Sequence, residues 1–208
     1  MSRYREGLCR LCRREGTKLF LKGDRCLTAK CAIERRAYPP GQHGQRRTKL
    51  TEYAIQLREK QKARRVYGIV ERQFRKTFHN AERKTGITGE IFLQLLERRL
   101  DSALYRLGFA VNRRQARQIA GHGHIFVNGK KVTIPSFVVK KGDVIEAGPK
   151  SKKLKHFADV LERRAQLKLP SWLSISEGEL KGTVLDDPKP EDIGIPVRES
   201  MIVEFYSK

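Results

Sequence analysis

An α+β fold in two parts is what this 208-residue sequence predicts, and three observations predict it. All four cysteines fall within the first 31 residues as two close pairs, which marks a small N-terminal unit. A leucine-rich helical pattern over 88–107 runs into a short basic helix over 113–120 and then into hairpin and strand signals. Charge is also divided along the chain. Residues 1–168 hold 41 Lys and Arg against 15 Asp and Glu, while residues 169–208 hold 4 against 8. With hydrophobic content at 38%, only modest cores are possible.

The N-terminal pairs are Cys9 with Cys12 and Cys26 with Cys31, separated by two and four residues. This is the spacing of a structural zinc site, because a tight turn lets two thiolates reach one tetrahedral ion. Arg10, Arg13, Arg14, Arg25 and Lys30 surround the thiols and offset thiolate charge. Two disulfides or four idle thiols are the alternatives. A site closed by four ligands implies no metal catalysis. The stretch 18–23 is expected to form a short strand of the knuckle. Then comes Tyr38-Pro39-Pro40-Gly41-Gln42-His43-Gly44-Gln45-Arg46-Arg47, where proline and glycine exclude helix and sheet. Basic and amide side chains suit an extended loop ordered against a phosphate backbone. His43 is better read as a packing or RNA-contact residue than as a metal ligand.

Thr51 can cap a helix to about residue 67. Tyr53, Ala54 and Leu57 give it a thin apolar stripe, and Arg58, Lys60, Lys62, Arg64 and Arg65 crowd the rest. A second helix, about 70–84, places Val70, Phe74, Phe78 and Ala81 on one face. Thr88 starts the leucine-rich helix, whose core face is Ile91, Phe92, Leu95, Leu96, Leu100, Leu104 and Leu107, and Gly108 ends it. Asn112 with Gln115 reads as a capping box for the basic helix. On that helix Ala116, Ile119 and Ala120 share one arc and Arg113, Arg114 and Arg117 the next. Three outward guanidiniums match phosphate oxygens well.

Strands are expected at 125–127, 137–139, 144–145, 172–175, 183–185 and 201–206. Asn128-Gly129 is a strong two-residue hairpin signal, with Lys130 and Lys131 just beyond it. Lys140 and Lys141 form a second basic tip. A helix over 151–169 would turn Leu154, Phe157, Ala158 and Leu161 inward, and Trp172 is expected to anchor packing. The chain divides into a zinc knuckle and basic loop (1–45), a helical part of the N-terminal domain (46–88), a module with paired helices on a small, mainly antiparallel sheet (89–190), and a C-terminal segment (191–208). The last segment either completes the module's sheet or returns to the N-terminal domain.

A net charge of +22 calls for a polyanionic partner, nucleic acid first. No apolar run approaches the roughly 18–20 residues that span a bilayer, and no secretory signal is expected at the N-terminus. A cytoplasmic protein with no membrane partner and no small-molecule substrate is the resulting expectation. The motifs RRQAR, GHI, VNGKKV and KKGDVI, in helix–turn–helix–strand order, resemble the RNA-binding module named for small-subunit ribosomal protein four. The cysteines, YPPGQHG, the 53–67 helix, LERRLD and the closing EFYSK extend that resemblance to the bacterial family in its zinc-bearing form.

The resemblance implies a structural, non-enzymatic component of the small ribosomal subunit. Such a protein binds small-subunit ribosomal RNA directly, nucleates assembly of its 5′ domain, and affects translational accuracy with a neighbouring ribosomal protein. Messenger RNA is a further partner, through repression of the protein's own synthesis. The expected RNA-binding residues are Arg46, Arg47, Arg58, Lys62, Arg64, Arg65, Arg113, Arg114, Arg117, Lys130 and Lys131. The expected ligands of one zinc ion are Cys9, Cys12, Cys26 and Cys31, and no catalytic residue is expected. An RNA-modifying enzyme carrying the same module is the alternative. Arg99-Leu100-Asp101 resembles a pseudouridine synthase motif, but it lies inside the leucine-rich helix, and too little chain remains for a catalytic domain. A zinc-dependent DNA-binding regulator would leave the basic N-terminal half without a role.

Overall fold

The computed structural model describes residues 4, 6–46, 49–154, 157, 160, 169–176 and 178–207. It divides into two compact units, residues 1–89 with 195–208 and residues 90–194. The knuckle region and the helical part of the N-terminal half thus fall in one unit.

In the first unit, helix α1 (Leu8–Glu15) ends where Gly16 takes a left-handed conformation. Helix α2 (Ala32–Arg35) follows a 3-10 turn at Gly23–Leu27. Leu8, Cys12, Leu19, Leu21 and Val66 form a small core, with Leu11, Ile33 and Ile195 packed on it. The expected strand over 18–23 does not form. Leu19 and Leu21 point inward, but Phe20 between them has φ of 50°, which breaks the extended run. Helix α3 (Glu52–Tyr67) is capped by Thr51, whose Oγ1 accepts from the Ala54 amide at 3.3 Å. Its buried face is Gln56, Lys60, Ala63, Val66 and Tyr67, not the Tyr53 stripe, and Tyr53 is exposed. Helix α4 (Glu71–Glu82) buries Phe74, Thr77, Phe78 and Ala81, as its spacing requires.

The second unit opens with α5 (Thr88–Glu97), which begins at the end of the first. The leucine pattern reads as one helix, yet the chain breaks at Arg98 and Arg99 before α6 (Leu100–Arg106). The break has partners. Leu100 and Asp101 donate their amides to the Phe137 and Pro135 carbonyls at 2.8 and 3.0 Å, and the Arg98 carbonyl accepts from Val139. Arg99 bridges to Val138, and that bridge is what remains of the expected strand at 137–139.

Helix α7 (Arg113–Gly121) is capped by Asn112. The Asn112 side chain accepts from the Gln115 amide at 2.9 Å, and Gln115 Oε1 accepts from the Val111 amide at 2.9 Å. Ala116 and Ala120 are fully buried, and these small side chains let α7 lie close to α6.

Strands β1 (Ile125–Val127), β2 (Lys130–Lys131), β3 (Val144–Ala147), β4 (Leu173–Ile175) and β5 (Lys181–Val184) form one antiparallel sheet in the order β2-β1-β3-β5-β4. Asn128 and Gly129 have φ of 50° and 73°, the paired left-handed conformations a two-residue hairpin needs. Leu104, Leu107, Phe109, Ile125, Ile145 and Trp172 are among the core residues between helices and sheet. Of the expected 151–169 helix, Phe157 and Val160 are buried in this core and Leu154 is exposed. Most of that stretch, Ala158 and Leu161 included, lies outside the described residues. A short helix, α8 (Pro190–Ile193), ends the unit.

The closing segment belongs to the first unit and is a helix, α9 (Glu199–Tyr206), not a strand. Its β-branched and aromatic residues favour extended chain, but packing against α3 decides the outcome. Ile202 is buried, Phe205 stacks near Tyr53, and Tyr206 lies 4.6 Å from Phe78 ring to ring. Gln56 donates to Glu204 at 2.9 Å.

Candidate nucleic-acid interface

Two helices carry the cationic residues expected to meet RNA, and in both the guanidiniums are held by buried acids. On α7, Arg113 Nη2 donates to Glu97 at 3.0 Å and its guanidinium lies 4.6 Å from the Tyr105 ring centre. Arg117 Nη1 donates to Asp101 at 2.9 Å. Glu97 is fully buried, and it also accepts two bonds from Arg106, at 3.0 and 2.9 Å, and one from Ser102 Oγ at 3.0 Å. Asp101 accepts two more from Arg99, at 3.0 and 2.8 Å. Arg113, Arg114 and Arg117 are therefore half-buried and partnered, not simply outward. Arg113 and Arg117, with Arg99 and Arg106, make a charged network of four arginines around the two carboxylates.

On α3 the arrangement recurs. Arg58 pairs with Glu15 at 3.5 Å, and Arg65 contacts the same carboxylate more closely. Glu15 has no exposed side-chain surface, and burial pushes its carboxyl up against the opposing pull of Arg65, Arg58 and Lys62. Burial likewise lowers the Arg65 pKa. Lys62 pairs with Glu59 at 2.5 Å, and Arg64 donates to Gln61 at 2.9 Å. Lys60 is buried instead of facing solvent. It donates to Glu71 at 2.8 Å and sits 4.8 Å from the Phe205 ring centre. Burial acts to raise the Glu71 pKa, but hydrogen bonds from Lys60 and Tyr206 hold it below the usual carboxylate value.

Lys130 and Lys131 are exposed at the hairpin tip. Asn128 ties this tip to the second one. Its Nδ2 donates to Asp143 at 2.8 Å and its Oδ1 accepts from the Val144 amide at 2.9 Å. Lys140 and Lys141 thereby share an end of the sheet with Lys130. The loop at 38–44 is a folded turn, contrary to the extended form expected. Arg13 donates to the Tyr38 carbonyl at 2.9 Å and stacks on the Tyr38 ring, while Gly44 donates to Gly41. A Cβ at Gly44 would lie 2.0 Å from the Pro39 oxygen, so only glycine fits this turn. His43 within the loop and Arg46 just after it are exposed, and Arg47 lies outside the described residues.

Cys12, Cys26 and Cys31 are buried and Cys9 half-buried, all as free thiols. Burial raises the Cys12 pKa, and the charges of Cys26, Cys9 and Cys31 raise it further. Among the described residues no three His, Cys, Asp or Glu side chains converge closely enough to hold an ion.

Sequence reasoning missed the acids. Glu97 sits four residues after Leu93 and seven before Leu104, in phase with buried positions. A carboxylate at a core position, in a chain with 23 acidic and 45 basic residues, was the available signal.

Comparison with known proteins gives full-length matches. The chain is 57% identical to small ribosomal subunit protein uS4 of Halothermothrix orenii over 208 residues, all of both chains. The values are 55% for uS4 of Thermodesulfovibrio yellowstonii and 57% for that of Geotalea daltonii, again over all of both chains. The chain belongs to the uS4 family of small ribosomal subunit proteins. Residues 3–97 match the model for the ribosomal protein S4/S9 N-terminal domain, and residues 98–145 match the S4 domain model. The uS4 division falls between Glu97 and Arg98, so the Glu97–Arg113 ion pair joins the two matched regions inside the 90–194 unit.

Proposed function

We propose that the chain binds small-subunit ribosomal RNA directly, through the cationic residues of α3, α7 and the two lysine tips. Full-length identity to uS4 proteins carries this reading. Membership of that family makes the chain a structural component of the small ribosomal subunit and not an enzyme. The arginine helices suit the task, because RNA helices are recognised mainly through backbone and shape. Phosphate neutralisation would make binding steeply salt-dependent. Nucleation of the 5′ domain and an effect on decoding accuracy, exerted with a neighbouring ribosomal protein, complete the role. Messenger RNA binding, with repression of the protein's own synthesis, belongs to the same reading.

Zinc bound by Cys9, Cys12, Cys26 and Cys31 is part of the proposal. The donor set suits zinc chemically, since it is four free thiols within one small unit, and binding would have to draw them together from where they lie. The ion would brace the small core around Leu8 and Leu19. The test of RNA binding is titration of the protein against protein-free small-subunit ribosomal RNA in rising KCl, with large-subunit RNA as competitor. Tight, salt-dependent binding that the competitor fails to displace supports the proposal, and equal affinity for both RNAs overturns it.

A further inference from the structure

We infer that Glu97 and Asp101 are positioning residues for RNA binding, buried acids that hold the guanidiniums of α7 ready for phosphate. The inference rests on the reading that α7 faces RNA. It extends that reading to two residues which charge alone would count as adverse.

The network has a repeated plan. Arg106 grips Glu97 with Nε and Nη2, and Arg113 approaches the same carboxylate through Nη2. Arg99 grips Asp101 with Nε and Nη2, and Arg117 approaches it through Nη1. In each half, one arginine from the α5–α6 region meets the acid in fork geometry, and a second comes from α7. Arg113 and Arg117 are four residues apart, so the two acids set successive turns of one helix face.

Burial explains why this orders the arginines. Glu97 and Asp101 have side-chain exposures of 0% and 5%, so screening by water is weak and each pair is held firmly. A mobile arginine loses rotamer freedom when it binds phosphate, and one already fixed by a carboxylate loses less. Two acids against four guanidiniums leave these six groups net positive, with the Arg113 and Arg117 side chains 13% and 20% exposed. The acids thus give up some attraction for RNA and supply orientation.

The two effects predict opposite signs. Taken as charges alone, Glu97→Gln and Asp101→Asn remove negative charge near a polyanion and should tighten binding. As positioning residues, their loss should weaken it, roughly tenfold or more. The experiment measures full-length wild type and both variants against a 5′-domain transcript of small-subunit ribosomal RNA across a KCl series. In an Arg113→Gln background, the effect of Glu97→Gln should shrink towards none.

Wild type that fails to bind the transcript removes the underlying reading. Wild type that binds, with variants that bind equally or more tightly, overturns the positioning role and leaves that reading standing. Should the variants unfold, nitrogen relaxation at the Nε–Hε groups of Arg113 and Arg117 in RNA-free wild type decides. Rigid groups support the inference, and freely rotating ones overturn it.

Discussion

Arg113→Ala should destabilise the 90–194 unit by about 3 kcal/mol. The substitution removes the 3.0 Å bond to Glu97, a 3.3 Å bond to Ser102 and the stack on Tyr105. Breaking a buried ion pair by taking one partner costs about 3–5 kcal/mol, because the other charge is stranded away from water. Glu97 keeps both bonds from Arg106, which places the loss at the low end of that range. For a unit of this size, about 3 kcal/mol corresponds to a fall in Tm of roughly 15 °C. Trp172 is the chain's one tryptophan and is buried in the core of this unit, so its fluorescence reports unfolding here specifically. A variant whose Tm stays within about 3 °C of wild type would refute the view that Arg113 completes a buried network. For the same reason, changing Arg113, Arg114 and Arg117 together to Glu is not a clean test of RNA contact. It sets new acids beside Glu97 and Asp101.

Lys130→Ala with Lys131→Ala offers the cleaner test, since both side chains are exposed at the hairpin tip. Tm should hold, while the slope of log affinity against log salt should fall by roughly 0.7–0.9 for each phosphate that the tip no longer neutralises. An unchanged slope places this tip away from RNA. In the first unit, acid should weaken the fold partly through Glu71. Its folded pKa lies below the ordinary 4.5, so its contribution is full above that pH and is lost as pH falls through the folded value. Glu71→Gln should flatten the acid limb of a stability–pH curve, and an identical limb would show that the Lys60 and Tyr206 bonds carry little. Cys12→Ser should abolish zinc retention, measured by elemental analysis of purified protein, and loosen the α1 core while leaving Trp172 fluorescence unaltered. Retention of one equivalent of zinc by the variant would remove Cys12 from the proposed ligand set.

Much of the second unit was legible because local signals agree there. Asn112 and Gln115, Asn128 and Gly129, and the small apolar arc of α7 each do what their chemistry requires. The division of the leucine helix was not legible. Leucine spacing continues through Arg98 and Arg99, and the carbonyls that stabilise the break come from residues 135 and 137. The strand expected at 201–206 failed for a similar reason, since β-favouring residues were recruited into a helix by the face of α3. That face itself was misread because it is partly polar. Gln56 and Lys60 are buried through partners on α9 and α4, outside the helix that carries them. The arginines were found, but their orientation depends on Glu15, Glu97 and Asp101. A wheel of one helix shows where a charge sits on that helix and leaves out the acid beneath it.

Residence in the small subunit is the central claim, and sedimentation tests it most directly. An epitope-tagged copy of the chain, expressed in bacterial cells and run through a sucrose gradient in low magnesium, should co-migrate with small subunits and be stripped from them by high salt. A tagged protein that stays at the top of the gradient, or follows the large subunit, would contradict the account.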